Sequence, residues 1–145
     1  QSPPRPVGAA GRVSAVARGG YVLHEEQGEL EVIVIATGSE ISLAAEAAEK
    51  LSAAGRGVRL VSMPCAEIYE RQDVEYKESV LPSHVLARVA VEASHQDWWY
   101  KYVGLDGRVV GMSSFGESAP GPVLMKEFGF TVDNVIDAIE DVILS

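Results

Sequence analysis

The chain has 145 residues, the size of one domain, and its 47% apolar and 23% charged shares are those of a globular protein, not of a disordered or collagen-like one. Twelve basic and 21 acidic residues give a net charge of −9, which sets the chain against phosphate backbones and anionic lipid, so neither nucleic acid nor membrane is expected as a partner. A single cysteine, Cys65, excludes an internal disulfide, no run of 18 apolar residues offers a membrane span, and no apolar stretch near Gln1 suggests a secretory signal.

Residues 1–11 hold three prolines and two glycines and read as an extended linker. A short helix is expected over Arg12–Arg18, stopped by Gly19-Gly20, which divides the chain into a lead of residues 1–18 and one domain over 19–145. Tyr21-Val22-Leu23 reads as an edge strand or a docking segment. Five of the seven residues of Leu30–Ala36 are Leu, Val or Ile, and the apolar character does not alternate, the mark of a strand covered on both faces. Ile41, Ala44, Ala45, Ala48 and Leu51 then recur at helical spacing up to Gly55, and Val58–Ser62 is the next strand. Strand, helix and strand within about 32 residues make a βαβ unit. Met63–Tyr69 reads as a loop with one short turn. Asp73–Leu81 reads as a helix stopped by Pro82, Val85–Val91 as a third strand, and Gln96–Val103 as a short aromatic helix. Arg108–Met112 is a fourth strand, Ser113–Pro122 a loop, and Val123–Phe128 a short helix. Thr131 caps a final helix with Val132, Val135, Ile136, Ile139 and Ile143 on one stripe. The alternation predicts an α/β fold: a three-layer sandwich around a mainly parallel, mixed sheet of four to five strands.

Five places carry candidate chemistry. Thr37, Gly38 and Ser39 stand where a strand hands over to a helix, an anion site in principle, although Thr37 and Glu40 also have capping-box spacing and Ser39 can cap alone. One glycine is not the G-x-G-x-x-G pattern, and Glu40 sets a negative charge where a phosphate would go. Glu92, His95 and Asp97 cluster at the end of the third strand, with structural hydrogen bonding as the plain reading and an acid–base role for His95 as the other. Cys65 lacks any signature of a nucleophile and reads as an incidental thiol. Trp98, Trp99, Tyr100 and Tyr102 crowd a segment in which successive helical residues point about 100° apart, so they cannot share one stripe. Part of this segment is expected to face another domain or subunit; packing in the chain's own core is the alternative, and stacking of a nucleobase is disfavoured by the acidic charge. Phe115–Pro120 is a loop without the G-x-S-x-G elbow. The residues by themselves contain no self-sufficient catalytic set.

Ordered strings nevertheless resemble one family. Arg18-Gly19-Gly20-Tyr21-Val22-Leu23, Ile35-Ala36-Thr37-Gly38-Ser39-Glu40, Val61-Ser62-Met63-Pro64 and Gln72-Asp73 come first. Tyr76-Lys77-Glu78-Ser79-Val80-Leu81-Pro82, Arg88-Val89-Ala90-Val91-Glu92-Ala93 and Trp99-Tyr100-Lys101-Tyr102-Val103-Gly104-Leu105 follow. Phe115-Gly116-Glu117-Ser118-Ala119-Pro120 and Phe128-Gly129-Phe130-Thr131-Val132-Asp133-Asn134-Val135 close the set. Together they resemble the C-terminal domain of bacterial-type transketolases over roughly residues 17 to 145. The resemblance implies a nucleotide-binding-like topology and a three-domain cytoplasmic parent that is a homodimer. It also implies transfer of a two-carbon ketol unit between ketose and aldose phosphates, in the pentose phosphate pathway, with thiamine diphosphate and a divalent metal, magnesium or calcium. In that family the cofactor lies between the first and middle domains of two subunits. The resemblance therefore implies no catalytic, cofactor or metal residue here, an inactive isolated segment, and partners in the other transketolase domains and a second subunit. The arginine that helps grip the substrate phosphate would stand upstream of Gln1. Cys65, the doubled tryptophan at Trp98 and residues 1–15 depart from the family pattern. Two other readings remain: a freestanding α/β module that binds a small anion or a partner protein, and the matching domain of a dihydroxyacetone synthase or 2-oxoacid dehydrogenase component.

Overall fold

All five residues of Val32–Ala36 are fully buried, as a continuous apolar run with both faces covered should be. The computed structural model, which describes residues 16–38, 40–92, 100–104, 107–111, 124–126 and 131–144, makes this run the second strand of a six-stranded sheet. In chain order the elements are β1 (Tyr21–His24), β2 (Val32–Ala36), α1 (Glu40–Ala53), β3 (Val58–Ser62), α2 (Ala66–Glu70), α3 (Val74–Val80), β4 (Arg88–Glu92), α4 (Tyr100–Val103), β5 (Arg108–Gly111), β6 (Leu124–Lys126) and α5 (Val132–Leu144). The strand order is β1-β3-β2-β4-β5-β6, with β1 antiparallel at one edge and every other pairing parallel.

Side chains alternate across a strand, and the register turns that alternation into layers. Val32, Val34 and Ala36 point to one face, together with Val58, Leu60, Val89, Val91 and Val110, and are covered by the buried stripes of α1 and α5. Ile33, Ile35, Val61 and Ala90 point to the other, under Met63, Tyr69, Val80, Leu81 and Tyr102 from α2, α3, α4 and their loops. This is the expected three-layer α/β sandwich with a mixed sheet.

Helix ends follow local chemistry. Beyond α1, Gly55 takes φ +95°, its N–H donates to Ser52 O at 3.0 Å and the Arg56 N–H donates to Leu51 O at 2.9 Å, a Schellman ending. The Asp73 carboxylate caps α3 by accepting from Tyr76 N at 2.7 Å, and the Thr131 hydroxyl caps α5 by accepting from Asn134 N at 3.1 Å.

Several expectations need correction. The sheet has one strand more than the four to five foreseen. The extra strand is β6, which lies where a helix over Val123–Phe128 was expected: Leu, Met and Lys favour helix, but parallel pairing of Arg108, Val109 and Val110 with Leu124, Met125 and Lys126 overrides that preference. Ala66–Glu70 is a helix and not merely a turn, too short at five residues to reveal a period. The third strand opens at Arg88, because Val85–Ala87 still belong to the preceding loop. Of the aromatic helix, Tyr100–Val103 is seen as α4, while Gln96–Trp99 lie outside the described residues. Among the described residues no helix is long and apolar enough to cross a membrane.

Candidate functional site

Among the described residues two places could hold chemistry: the carboxyl ends of the central strands and a groove on the α2–α4 side. β2 lies between β3 and β4, so the chain crosses over in one direction after β2 and past it in the other after β3. The carboxyl ends of β2 and β4 therefore flank the topological switch point, where open α/β sheets receive ligands. Thr37 and Gly38 follow β2 there, and Glu92 closes β4. Gly38 has φ +64°, with open space where a Cβ would point. That backbone is not helical, so α1 begins at Glu40 and Thr37 is too far upstream to form a capping box with it. Ser39, His95 and Asp97 lie outside the described residues. Glu40 sets its negative charge at the positive end of α1, and Asp133 does the same for α5. Among the described residues no three His, Cys, Asp or Glu side chains are grouped to hold a metal ion. With acids at both long-helix N-termini and no metal-ligand cluster, these residues do not fit a diphosphate and its metal.

The groove has a volume of about 360 Å³ and is lined by Tyr69, Glu70, Lys77, Arg88 and Tyr102 among others. Two of its lining residues, Tyr69 and Tyr102, belong to a row of tyrosine rings that continues to Tyr76. Tyr69 meets Tyr76 edge-on at 6.4 Å and Tyr102 at 6.1 Å between centroids. The Tyr69 hydroxyl donates to Lys77 O at 3.0 Å, and the Tyr102 hydroxyl donates to Glu70 Oε2 at 2.5 Å. Lys77 Nζ lies 3.2 Å from Glu70 Oε1. Burial first, then the neighbouring Glu70 carboxylate, pushes the Tyr69 hydroxyl well above the usual phenol range; burial and the hydrogen bond to Glu70 do the same for Tyr102. Both therefore stay protonated as donors, and neither is an activated base or nucleophile. Arg88 is the hub of the groove. Its Nε donates to Val85 O at 2.9 Å, its Nη1 to Tyr102 O at 2.8 Å and its Nη2 to Pro82 O at 2.8 Å. Burial lowers its pKa, yet the carbonyl oxygens around it, one in α4 and two in the loop before β4, suit a cation. The polar groups of the groove are thus spent on joining α2, α3, α4 and β4.

Of the aromatic segment expected at an interface, Tyr102 is 5% exposed and packs inside this chain's own core, which removes it as an interface residue. Trp98 and Trp99 lie outside the described residues, as does the side chain of Tyr100. Cys65 is half-buried and stands just before α2, with no side-chain cap bond. The groove residues Tyr69, Glu70, Lys77 and Arg88 were not singled out from the sequence. The one local signal was a charge, Arg88, opening a strongly apolar strand.

The family described as the transketolase-like C-terminal domain matches residues 19–131. The chain is 58% identical over 125 residues to Transketolase 1 of Escherichia coli, covering 86% of this chain and 19% of that protein. It is 52% identical over 135 residues to Transketolase 2 of Vibrio parahaemolyticus, covering 93% and 20%. The structure of the transketolase from Leishmania mexicana aligns with a TM-score of 0.74 at 39% identity, over 91% of this chain and 19% of that one. A split-gene transketolase, described as an inactive β4 tetramer, aligns at a TM-score of 0.61 and 23% identity, which speaks for the fold alone. The chain spans about a fifth of the length of the curated relatives it matches. The match covers most of the chain and follows the order of its elements from Gly19 to the cap of α5: the chain belongs to the transketolase C-terminal domain family.

Proposed function

We propose that residues 19–145 are the non-catalytic C-terminal domain of a transketolase, with residues 1–18 as its lead. The observation that carries this reading is the family match over residues 19–131, beside identities of 52% over 135 residues and 58% over 125 residues to two transketolases. The parent is a cytoplasmic homodimeric transferase of the pentose phosphate pathway that moves a two-carbon ketol unit between sugar phosphates. Thiamine diphosphate and a divalent metal supply the carbanion chemistry there, on other domains. This domain contributes a stiff α/β body whose polar side chains hold its own layers together. Trp98, Trp99 and Tyr100 are its candidates for contact with a neighbouring domain or subunit. Thr37 and Gly38 lead into α1; the Glu40 charge argues against an anion there.

The test is calorimetric titration of the 145-residue chain with thiamine diphosphate and magnesium, beside a ketol-transfer assay of the same sample. No saturable binding and no transfer is the expected result. Saturable binding at micromolar cofactor, or measurable transfer, overturns the reading.

A further inference from the structure

We propose that Arg18–Gly20 form a rigid joint, clamped to α2 and α3, that fixes the direction in which the chain enters the domain. Three independent features make the clamp. First, Gly19 and Gly20 are buried with their backbone pressed onto the start of α2. A Cβ at Gly19 would run into the Cys65 carbonyl oxygen and the Tyr69 nitrogen, and one at Gly20 would stand 2.6 Å from the Met63 sulfur. Gly19 also takes φ +84°, so both its conformation and its surroundings require glycine. Second, the carbonyls of both glycines are taken: Cys65 N donates to Gly19 O at 3.0 Å, and the Tyr76 hydroxyl donates to Gly20 O at 2.6 Å. Third, the Arg18 guanidinium lies over the Tyr76 ring, 4.5 Å from its centroid. The next residue, Tyr21, is already paired with Ser62 in the sheet.

A flexible tether keeps its backbone in water and makes no tertiary contact. Here three consecutive residues are held by the ring and hydroxyl of Tyr76 in α3 and the backbone amide of Cys65 just before α2. A displacement arriving from the N-terminal side is therefore passed into the α2–α3 layer. There the Tyr76 ring meets Tyr69, and Tyr69 meets Tyr102, so it is not absorbed by swivelling at the glycines. The joint is a property of this chain and stands whether or not the ketol-transferase reading does.

The experiment is ¹⁵N relaxation on the 145-residue chain, alone and as Tyr76→Phe, Arg18→Ala and the double variant. The amides of Arg18, Gly19 and Gly20 are expected to show order parameters of about 0.85, like those of a rigid backbone, and to fall toward about 0.6 or below in the double variant while β2 is unchanged. Arg18 is exposed and Arg18→Ala removes its stack on the half-buried Tyr76 ring, so it reports even if Tyr76→Phe disturbs folding. Order parameters below about 0.6 at Gly19 and Gly20 in the unaltered chain overturn the joint. Unchanged order in every folded variant overturns its assignment to Tyr76 and Arg18.

Discussion

Gly55 and Gly57 stand two residues apart and are required for different reasons. Gly55 needs φ +95°, but open space lies where its Cβ would go. Gly55→Ala is therefore expected to cost only the left-handed penalty, about 1 kcal/mol. Gly57 has no such conformation, but a Cβ there would collide with the Glu29 carbonyl oxygen, a backbone atom that cannot step aside. Gly57→Ala is expected to cost about 3 kcal/mol. Urea unfolding of the two variants checks the order, and equal losses would contradict it. Arg88 gives a second prediction at this scale. Three different nitrogens of its guanidinium each donate to a different carbonyl, a spread that the single nitrogen of an ammonium cannot cover. Arg88→Lys is expected to lose about 2–3 kcal/mol in the same measurement, despite keeping the charge. A loss within about 0.5 kcal/mol would mean the fork contributes little. Residues of this kind were hard to foresee: Arg88 joins carbonyls from the loop before it and from α4 after it, and Gly19-Gly20, read as a helix stop, are in fact a close backbone approach to α2.

Between elements, one joint that responds to pH lies between the β1–β2 connection and the end of α3. Arg59 of β3 holds Glu26 in a two-pronged pair, 2.8 and 2.9 Å, while its Nη1 donates to Ser79 O at 2.9 Å and Val80 O at 3.0 Å. Burial pushes the Glu26 carboxyl upward, but the Arg59 hydrogen bonds and charge more than offset it, so its pKa is lowered in the fold. A lowered folded pKa means stability present above the unfolded value, about 4.3, and lost as pH falls through the folded value. Glu26→Gln is thus expected to cost about 1 kcal/mol near pH 7, with the gap to the unaltered chain closing below about pH 4. Thermal unfolding across pH 3 to 7 measures it; a gap that does not change with pH contradicts the pairing. Elements themselves were legible where their own residues decide them. β2 declared itself by an unbroken apolar run, and α5 by its cap and stripe. β6 did not, because three helix-favouring residues become a strand only when β5 lies beside them.

Across the whole molecule, the alternation of strands and helices sufficed for the three-layer class, since each layer needs only an apolar face. The groove was not legible: Tyr69 and Tyr102 are 33 positions apart and meet only once α2 and α4 lie on the same face of the sheet. The proposed function was legible only through the ordered strings; among the described residues the polar groups of the groove join the domain's own layers. The central claim is that this chain does a transketolase's structural work without its chemistry. The direct measurement is a chimera in which residues 19–144 replace the matching fifth of the Escherichia coli Transketolase 1, assayed for ketol transfer with thiamine diphosphate and magnesium. The account predicts kcat/KM within about tenfold of the unaltered enzyme, a difference of no more than about 1.4 kcal/mol in the barrier. A folded chimera that binds cofactor yet transfers no ketol unit would contradict it.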